Sequence, residues 1–229
     1  MVGTVAGALL ALGTVSARAD GATADPAMTA ALQRVADGTW TQADLDYIKT
    51  DPTVADQVPD PSVPESNLIT EKTVATGGEQ HLTVDELPSG ADYDASDEVT
   101  LPAIPDGDSG TVGRATTNWK EVDVWVKKYS LLGSTIFTWH HVVNFAYNGS
   151  HVTSWGYRYD YLSQQQGMVQ LKERATNQTT SAGTSSAYNL MQRHLQYCIA
   201  KYGCYADVYP WSKITVKGSG GYSYKYGSG

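Results

Sequence analysis

The sequence has only two cysteines and two phenylalanines among its 229 residues, and it has no long apolar run after about residue 19. The absence of a second apolar run excludes a protein with several membrane-spanning helices. Basic residues are scarce in residues 20–110, and acidic residues are scarce in residues 111–229. Residues 20–110 contain 19 acidic and 3 basic residues, whereas residues 111–229 contain 5 acidic and 12 basic residues.

Aromatic residues are nearly absent from the first half, because 20 of the 23 Phe, Trp and Tyr residues follow residue 110. An acidic segment with so few large apolar side chains cannot bury enough surface to offset its chain entropy. We therefore predict an acidic, Pro-containing flexible arm over residues 20–112 and an aromatic-rich β-domain over residues 113–229. The basic balance of that domain favours an acidic partner, an anionic wall polymer or the arm itself. No Lys/Arg cluster or recognition helix accompanies it, so nucleic acid is not expected.

The first residues resemble a secretory signal peptide. Residues 1–19 form an apolar run that ends in Ala17-Arg18-Ala19, although no basic residue precedes the run. We predict a secreted, extracellular protein without a membrane span. In that oxidising setting the two cysteines, Cys198 and Cys204, are expected to form a disulfide, which on the chain-entropy account stabilises the fold by about 2 kcal/mol.

Two short helices are predicted near the start of the arm. The first opens at Asp25-Pro26 and ends at Asp37-Gly38, and the second begins with a capping box between Thr41 and Asp44. Four prolines within residues 52–64 favour an extended linker there.

Short β-prone segments follow the linker, and each is a candidate for adding one strand to the sheet edge of a partner protein. The alternative is a spacer without specific contacts. The arm residues predicted to bind a partner are Leu68, Ile69, Leu82, Val84, Val99, Leu101 and Ile104.

Residues 135–161 alternate apolar and polar positions on both sides of Asn148-Gly149, which is typical of a β-hairpin. An odd-length loop would place the aromatic positions of both strands on one face, so we predict that register. Further strands are predicted over residues 119–129, 168–174, 190–200, 213–217 and 222–226. The apolar positions around residues 190–200 also fit one face of a helix. Together these strands predict a mainly β fold, a small antiparallel β-sandwich or barrel that follows a largely extended arm with two short helices.

Four aromatic residues of this hairpin form a candidate binding surface for sugars or a peptide, with packing in the core as the alternative. They are Trp139, Trp155, Tyr157 and Tyr159.

Candidate catalytic and metal-binding motifs are incomplete. Gly107-Asp108-Ser109-Gly110 matches the nucleophile tetrapeptide of trypsin-like proteases, but only His81 precedes it and no catalytic-histidine motif is present. The acidic residues from Asp106 onward resemble the start of a calcium loop but lack the final acidic ligand.

The histidines also give no convincing metal site. His140 and His141 are adjacent on a strand and must point to opposite faces, and His194 lies near cysteines that are expected to be oxidised. The five acidic residues of the β-domain suggest no catalytic pair. We predict no catalytic residues, no metal and no cofactor.

The tail of the chain is similar to small exported β-domain proteins of actinomycetes. The matching motifs are Cys198-x5-Cys204, Tyr209-Pro210-Trp211, Ile214-Thr215-Val216-Lys217-Gly218 and the earlier Tyr147-Asn148-Gly149-Ser150. With a signal, a long arm and a compact β-domain, the layout resembles the adaptor-subunit family of Streptomyces umbrella toxin particles, over residues 113–229 and the design of the arm. The resemblance implies a non-enzymatic adaptor in an antibacterial toxin complex. Its arm would insert into a cleft of a lectin-bearing subunit, and its β-domain would lie near the repeat ring of a large toxin subunit.

Three functions therefore remain open from the sequence. A secreted adaptor or scaffold is the leading expectation, because charge and aromatic content change abruptly near residue 110. A carbohydrate or cell-wall binding module is the alternative, and a secreted hydrolase or toxin is a third.

Overall fold

A computed structural model describes residues 24–63, 69–76 and 118–228, the middle range by its backbone alone. The expected signal peptide, the Ser109 tetrapeptide, His81 and the calcium-like segment lie outside these ranges. The protein is mainly β, with two antiparallel sheets preceded by short helices, which confirms the predicted fold class.

Three helices begin the described chain: α1 (Pro26–Ala36), α2 (Gln42–Ile48) and α3 (Pro52–Ala55). The Asp25 side chain caps α1, and the predicted capping box of Thr41 and Asp44 begins α2. Both predicted helices are therefore confirmed.

The prediction of an extended linker over residues 52–64 is wrong at its start, because Pro52 lies in the first turn of α3, where its missing N–H is no loss. Asp51 caps this helix through the backbone N–H groups of Thr53 and Val54. Val54 and Val58 are buried. After α3 the chain runs beside Leu131 of the β-domain, whose backbone N–H donates a hydrogen bond to the carbonyl of Val58 at 2.9 Å.

The helices pack against the β-domain. Their apolar side chains form one core with two buried residues of that domain, Leu131 and Ile199, and with the partly buried Tyr202 and Tyr205. Residues 24–63, the first part of the predicted arm, are thus folded onto the domain. Helices this short are marginal in water alone, so this packing supplies most of their stability.

The first sheet has the strand order β1-β2-β3-β4 and the second has the order β5-β6-β8-β9, with β7 paired to β6. All pairings are antiparallel. The strands are β1 (Ile69–Thr76), β2 (Asn118–Tyr129), β3 (Thr135–Tyr147), β4 (Val152–Gln165), β5 (Val169–Thr179), β6 (Ser186–Ile199), β7 (Gly203–Val208), β8 (Trp211–Lys217) and β9 (Tyr222–Gly227).

The two sheets face each other across a shared apolar core, as in a β-sandwich. Valines of β2 and the aromatic residues Phe145 and Trp155 of the first sheet pack against Ala187, Ile214 and Val216 of the second. A second part of the core surrounds Trp139, Met191 and Leu195. Residues 190–199 belong to β6, which confirms the strand prediction for this ambiguous segment apart from Ala200, which lies in the following turn.

The register of the β3–β4 hairpin differs from the predicted one. Four residues separate the last pair, Tyr147 and Val152, so the loop is not odd in length. The register then changes at irregularities along β4. At one of them, a β-bulge, the two residues Gly156 and Tyr157 lie opposite the single residue Asn144. Such a bulge exchanges the faces of all residues beyond it. The aromatic residues of the hairpin consequently lie on both faces of the first sheet.

Candidate functional site

All four residues of the predicted aromatic surface are buried, so they do not form an exposed binding platform. Trp139 and Trp155 lie in the core between the sheets, and Trp139 has no exposed surface. Tyr157 and Tyr159 lie on the other face of the first sheet, in a cluster with Val142. The bulge at Gly156 and Tyr157 separates them, since a regular hairpin would have kept these aromatic side chains on one face.

The outer face of the first sheet, meaning the face turned away from the second sheet, carries a relay of three polar side chains. The Asp123 carboxylate lies 2.9 Å from His140 Nδ1, and His140 Nε2 lies 2.7 Å from the Ser163 hydroxyl. The three residues come from β2, β3 and β4, so only the strand pairing brings them together. Their order, carboxylate to imidazole to hydroxyl, is that of a nucleophilic triad.

Two aromatic rings hold the imidazole of this relay in place. Tyr161 stacks on the His140 ring with centroids 4.3 Å apart, and Trp125 lies on it at 5.1 Å. Nucleophilic catalysis needs, in addition, hydrogen-bond donors arranged around a developing oxyanion. The hydrogen bonds of the relay join three adjacent strands, and the observed distances are sufficient for this structural role.

Tyrosines on the same face are held in their neutral form. Burial raises the pKa of Tyr157, and the hydrogen bond that its hydroxyl donates to Glu121 raises it further. Burial likewise raises the pKa of Tyr161 to about 12. These phenols act as hydrogen-bond donors at neutral pH and not as bases.

The interior between the sheets holds a second polar cluster around Asp160, which is 1% exposed. Its carboxylate accepts hydrogen bonds from Arg193 Nε at 2.6 Å, Arg174 Nε at 2.8 Å and Trp139 Nε1 at 2.8 Å. Burial raises the pKa of Asp160, but the two guanidinium groups outweigh that effect and the net pKa is lowered. This charged cluster ties β4 to β5 and β6.

The four histidines that the structure describes are not placed as a metal site. His140 faces the outer side and His141 the interior, as predicted for neighbours on a strand, and His151 lies in the exposed loop. Cys198 and Cys204 form the predicted disulfide, so they offer no thiolate to His194. His194 is instead bound between Asp207 at 2.7 Å and Glu173 at 3.0 Å. Within the described ranges no group of three or more His, Cys, Asp or Glu side chains is placed to hold a metal ion.

One of the predicted partner-binding residues, Ile69, lies on β1, which pairs with β2 of its own chain. This edge of β2 is therefore occupied within the molecule. The other six, Leu68, Leu82, Val84, Val99, Leu101 and Ile104, lie outside the described residues.

The pairing of β1 with β2 fixes where the remaining acidic segment begins and ends. Thr76, the last residue of β1, is the register partner of Trp119, next to the start of β2 at Asn118. Residues 77–117 connect these two neighbouring points. They contain nine acidic residues and one basic residue, Arg114. We call residues 77–117 the acidic connection.

No family model, curated protein or solved structure matches this chain. None of the helices in the described parts of the chain has the length and apolarity needed to cross a membrane.

Proposed function

We propose that this protein is a secreted, non-enzymatic adaptor that binds another exported protein through its acidic connection. The observation that carries the proposal is the contrast within the chain. The described part forms a folded platform, while the connection is strongly acidic and has a single aromatic residue, Tyr93. A segment of this composition gains its stability from a partner and not from a core of its own.

One strand of the chain is an example of how such a segment can bind, namely by pairing with the edge of a sheet. Residues 69–76 lie within the predicted arm, and they form a strand by pairing with β2. Main-chain hydrogen bonds of this kind also join an extended segment to the sheet of another protein. The short β-prone stretches around Leu82, Val99 and Leu101 are suited to the same mode of binding.

The resemblance to the umbrella toxin adaptors favours an antibacterial toxin complex as the setting. In that setting the connection would insert into a cleft of a lectin-bearing subunit, and the β-domain would contact a repeat-containing toxin subunit. A cleft with a basic lining would complement the nine carboxylates of the connection.

Affinity purification of the tagged protein from culture supernatant tests the proposal. Replacing Val84, Val99 and Leu101 together by Asp should abolish recovery of the exported partner, while the fold measured by circular dichroism stays unchanged. A matched control replaces Leu132 by Asp, because Leu132 is an exposed apolar residue of the β-domain. Equal partner recovery from the triple variant and the wild type would refute the assignment of binding to the connection.

A further inference from the structure

The outer face of the second sheet, meaning the face turned away from the first sheet, carries an open groove of about 340 Å³ that crosses four strands. It lies on the other sheet from the acidic connection's attachment points on β1 and β2, since β5, β6, β8 and β9 supply its walls. The groove is lined by Thr176, Leu190, Gln192, Trp211, Lys213 and Lys225. We call it the lysine–tryptophan groove.

Two lysines stand side by side in this groove. Lys213 of β8 and Lys225 of β9 are direct register partners on antiparallel strands, so their side chains leave the same face. Like charges directly opposite one another destabilise a strand pair. Among the residues that the structure describes, neither lysine forms an ion pair, and the Lys213 ammonium lies instead 3.6 Å from the centroid of the Tyr188 ring. An anion bound between the two lysines would remove their mutual repulsion.

The floor of the groove combines an aromatic ring with weakly engaged polar groups. The indole of Trp211 is partly exposed, and Gly227 lies against it so closely that a Cβ there would be 2.9 Å from Trp211 Cε2. The side-chain amide of Gln192 contacts Thr176 Oγ1 and the Tyr209 carbonyl only at 3.5 Å, the long limit of a hydrogen bond. This amide can therefore exchange its contacts for those of a ligand at small cost.

An indole surface, an amide and two ammonium groups together suit a sugar that bears a negative charge. The ring face stacks on the apolar side of a pyranose, the amide pairs with hydroxyl groups, and the lysines bind carboxylate or phosphate. An acidic peptide fits less well, because extended peptides gain affinity from main-chain pairing at a sheet edge and this groove lies on a sheet face. We propose that the lysine–tryptophan groove binds an anionic glycan, a polymer whose sugar units carry carboxylate or phosphate groups.

Titration of the full chain with purified polymers tests this site. The probes are polygalacturonate for carboxylates, a glycerol-phosphate teichoic acid for phosphates, dextran as a neutral glycan and polyglutamate as an acidic peptide. We expect binding to at least one anionic glycan, with Trp fluorescence as the readout, and no binding to dextran. The ratio between the two anionic glycans identifies the charged group. Binding to polyglutamate as tight as to both glycans would overturn the proposal in favour of an acidic protein partner.

Charge-matched variants separate a specific site from general attraction. Lys213→Gln with Lys225→Gln should weaken glycan binding by about tenfold or more, because two charge-assisted contacts are lost. The control, Lys127→Gln with Lys201→Gln, makes the same charge change at two lysines that also lie over aromatic rings. It should weaken binding by less than about twofold, which corresponds to the loss of long-range attraction alone.

Trp211→Ala should lower affinity further, and its fold is checked by thermal unfolding. If this variant does not fold, the lysine pair still decides the question. An equal loss in both double variants, or no binding of any anionic glycan, would refute the site. Neither result bears on the adaptor proposal, which depends on residues 77–117.

Discussion

His141 of β3 and Asn189 of β6 join the two sheets through a hydrogen bond of 2.6 Å between His141 Nε2 and Asn189 Oδ1. The Asn189 amide nitrogen donates to Thr179 Oγ1 at 2.7 Å, so the amide oxygen faces the imidazole and accepts its Nε2 proton. His141 Nδ1 then accepts the hydroxyl proton of Ser212. Both ring nitrogens of this fully buried, neutral histidine are thus satisfied.

Stability should decrease with acidity because of His141. Burial lowers the pKa of His141 to about 4, whereas the unfolded chain has the ordinary value of 6.5. Between these values the unfolded state binds a proton that the folded state does not, so the free energy of unfolding is retained above pH 6.5 and falls as pH approaches 4. We expect a loss of about 2 kcal/mol between pH 7.5 and pH 5 from this group.

Urea unfolding of His141→Gln over the same pH range isolates that contribution. The variant should be less stable at pH 7.5 but should lose less stability on acidification than the wild type. Other acid-sensitive groups affect both proteins alike. Identical pH slopes would show that His141 does not titrate in this way.

Asp160→Asn should destabilise the protein strongly. The substitution leaves a neutral amide between Arg174 and Arg193, whose side chains are 9% and 2% exposed. Removing one partner from a buried charge cluster costs about 3–5 kcal/mol. Asp207→Asn is the control, because this carboxylate is half exposed beside His194, and its loss should cost under about 1 kcal/mol. Similar unfolding midpoints for the two variants would contradict the assignment.

Gly156→Ala should disturb the bulge that divides the hairpin aromatics between two faces. A Cβ at this position would overlap Asn144 Oδ1 and lie 3.0 Å from Trp119 Cζ3. Overpacking of this kind costs about 1–3 kcal/mol. The double variant Gly156→Ala with Asn144→Ala removes the main obstacle and should be more stable than the two single losses predict. Simple additivity in thermal unfolding would mean that the clash is relieved elsewhere.

Leu131→Asp should release the three helices from the β-domain. Leu131 is 7% exposed within the core that the helices share with that domain. A carboxylate there would lose its hydration without gaining a partner. Limited proteolysis should then cleave residues 24–63 while the β-domain stays intact. Leu132→Asp, at a neighbouring side chain that is 52% exposed, should be cleaved like the wild type.

Ser163 should not react with a fluorophosphonate, the reagent that labels activated serines, if the Asp123–His140–Ser163 relay only holds strands together. Mass spectrometry of the treated protein measures the labelling directly. His140→Gln provides the matched background. Labelling of Ser163 that disappears in His140→Gln would overturn the non-enzymatic proposal.

Strands β2 to β6, β8 and β9 were predictable because their alternation depends on nearest neighbours along the chain, whereas β1 and β7 were not predicted. The disulfide followed from two cysteines close in sequence. The Asp123–His140–Ser163 relay was not predictable, because it requires the register of three strands, and that register depends on irregularities such as the one at Gly156 and Tyr157. The four prolines of residues 52–64 favour an extended linker, although Asp51 before Pro52 is the signal for a helix start.

Register is also absent from the sequence for the hairpin, which is why an exposed aromatic surface was predicted where the four side chains are buried. Trp155 and Tyr157 are two positions apart, which in a regular strand means one face. The extra residue at the bulge places Trp155 in the core and Tyr157 on the outer side. The groove on the second sheet was not predictable for a related reason, since Lys213 and Lys225 become neighbours only through the β8–β9 pairing.

The register pair of Thr76 and Trp119 gives the acidic connection a topological character. A segment whose two ends lie on neighbouring strands is a loop and not a free tail, so the partner proposed for it would bind a chain that is anchored at both ends. Because such a loop has no free end, it cannot enter a closed ring end-first as a tail could. A single proteolytic cut within residues 77–117 would leave two polypeptides joined by β1 and β2 but would replace the loop by two free ends.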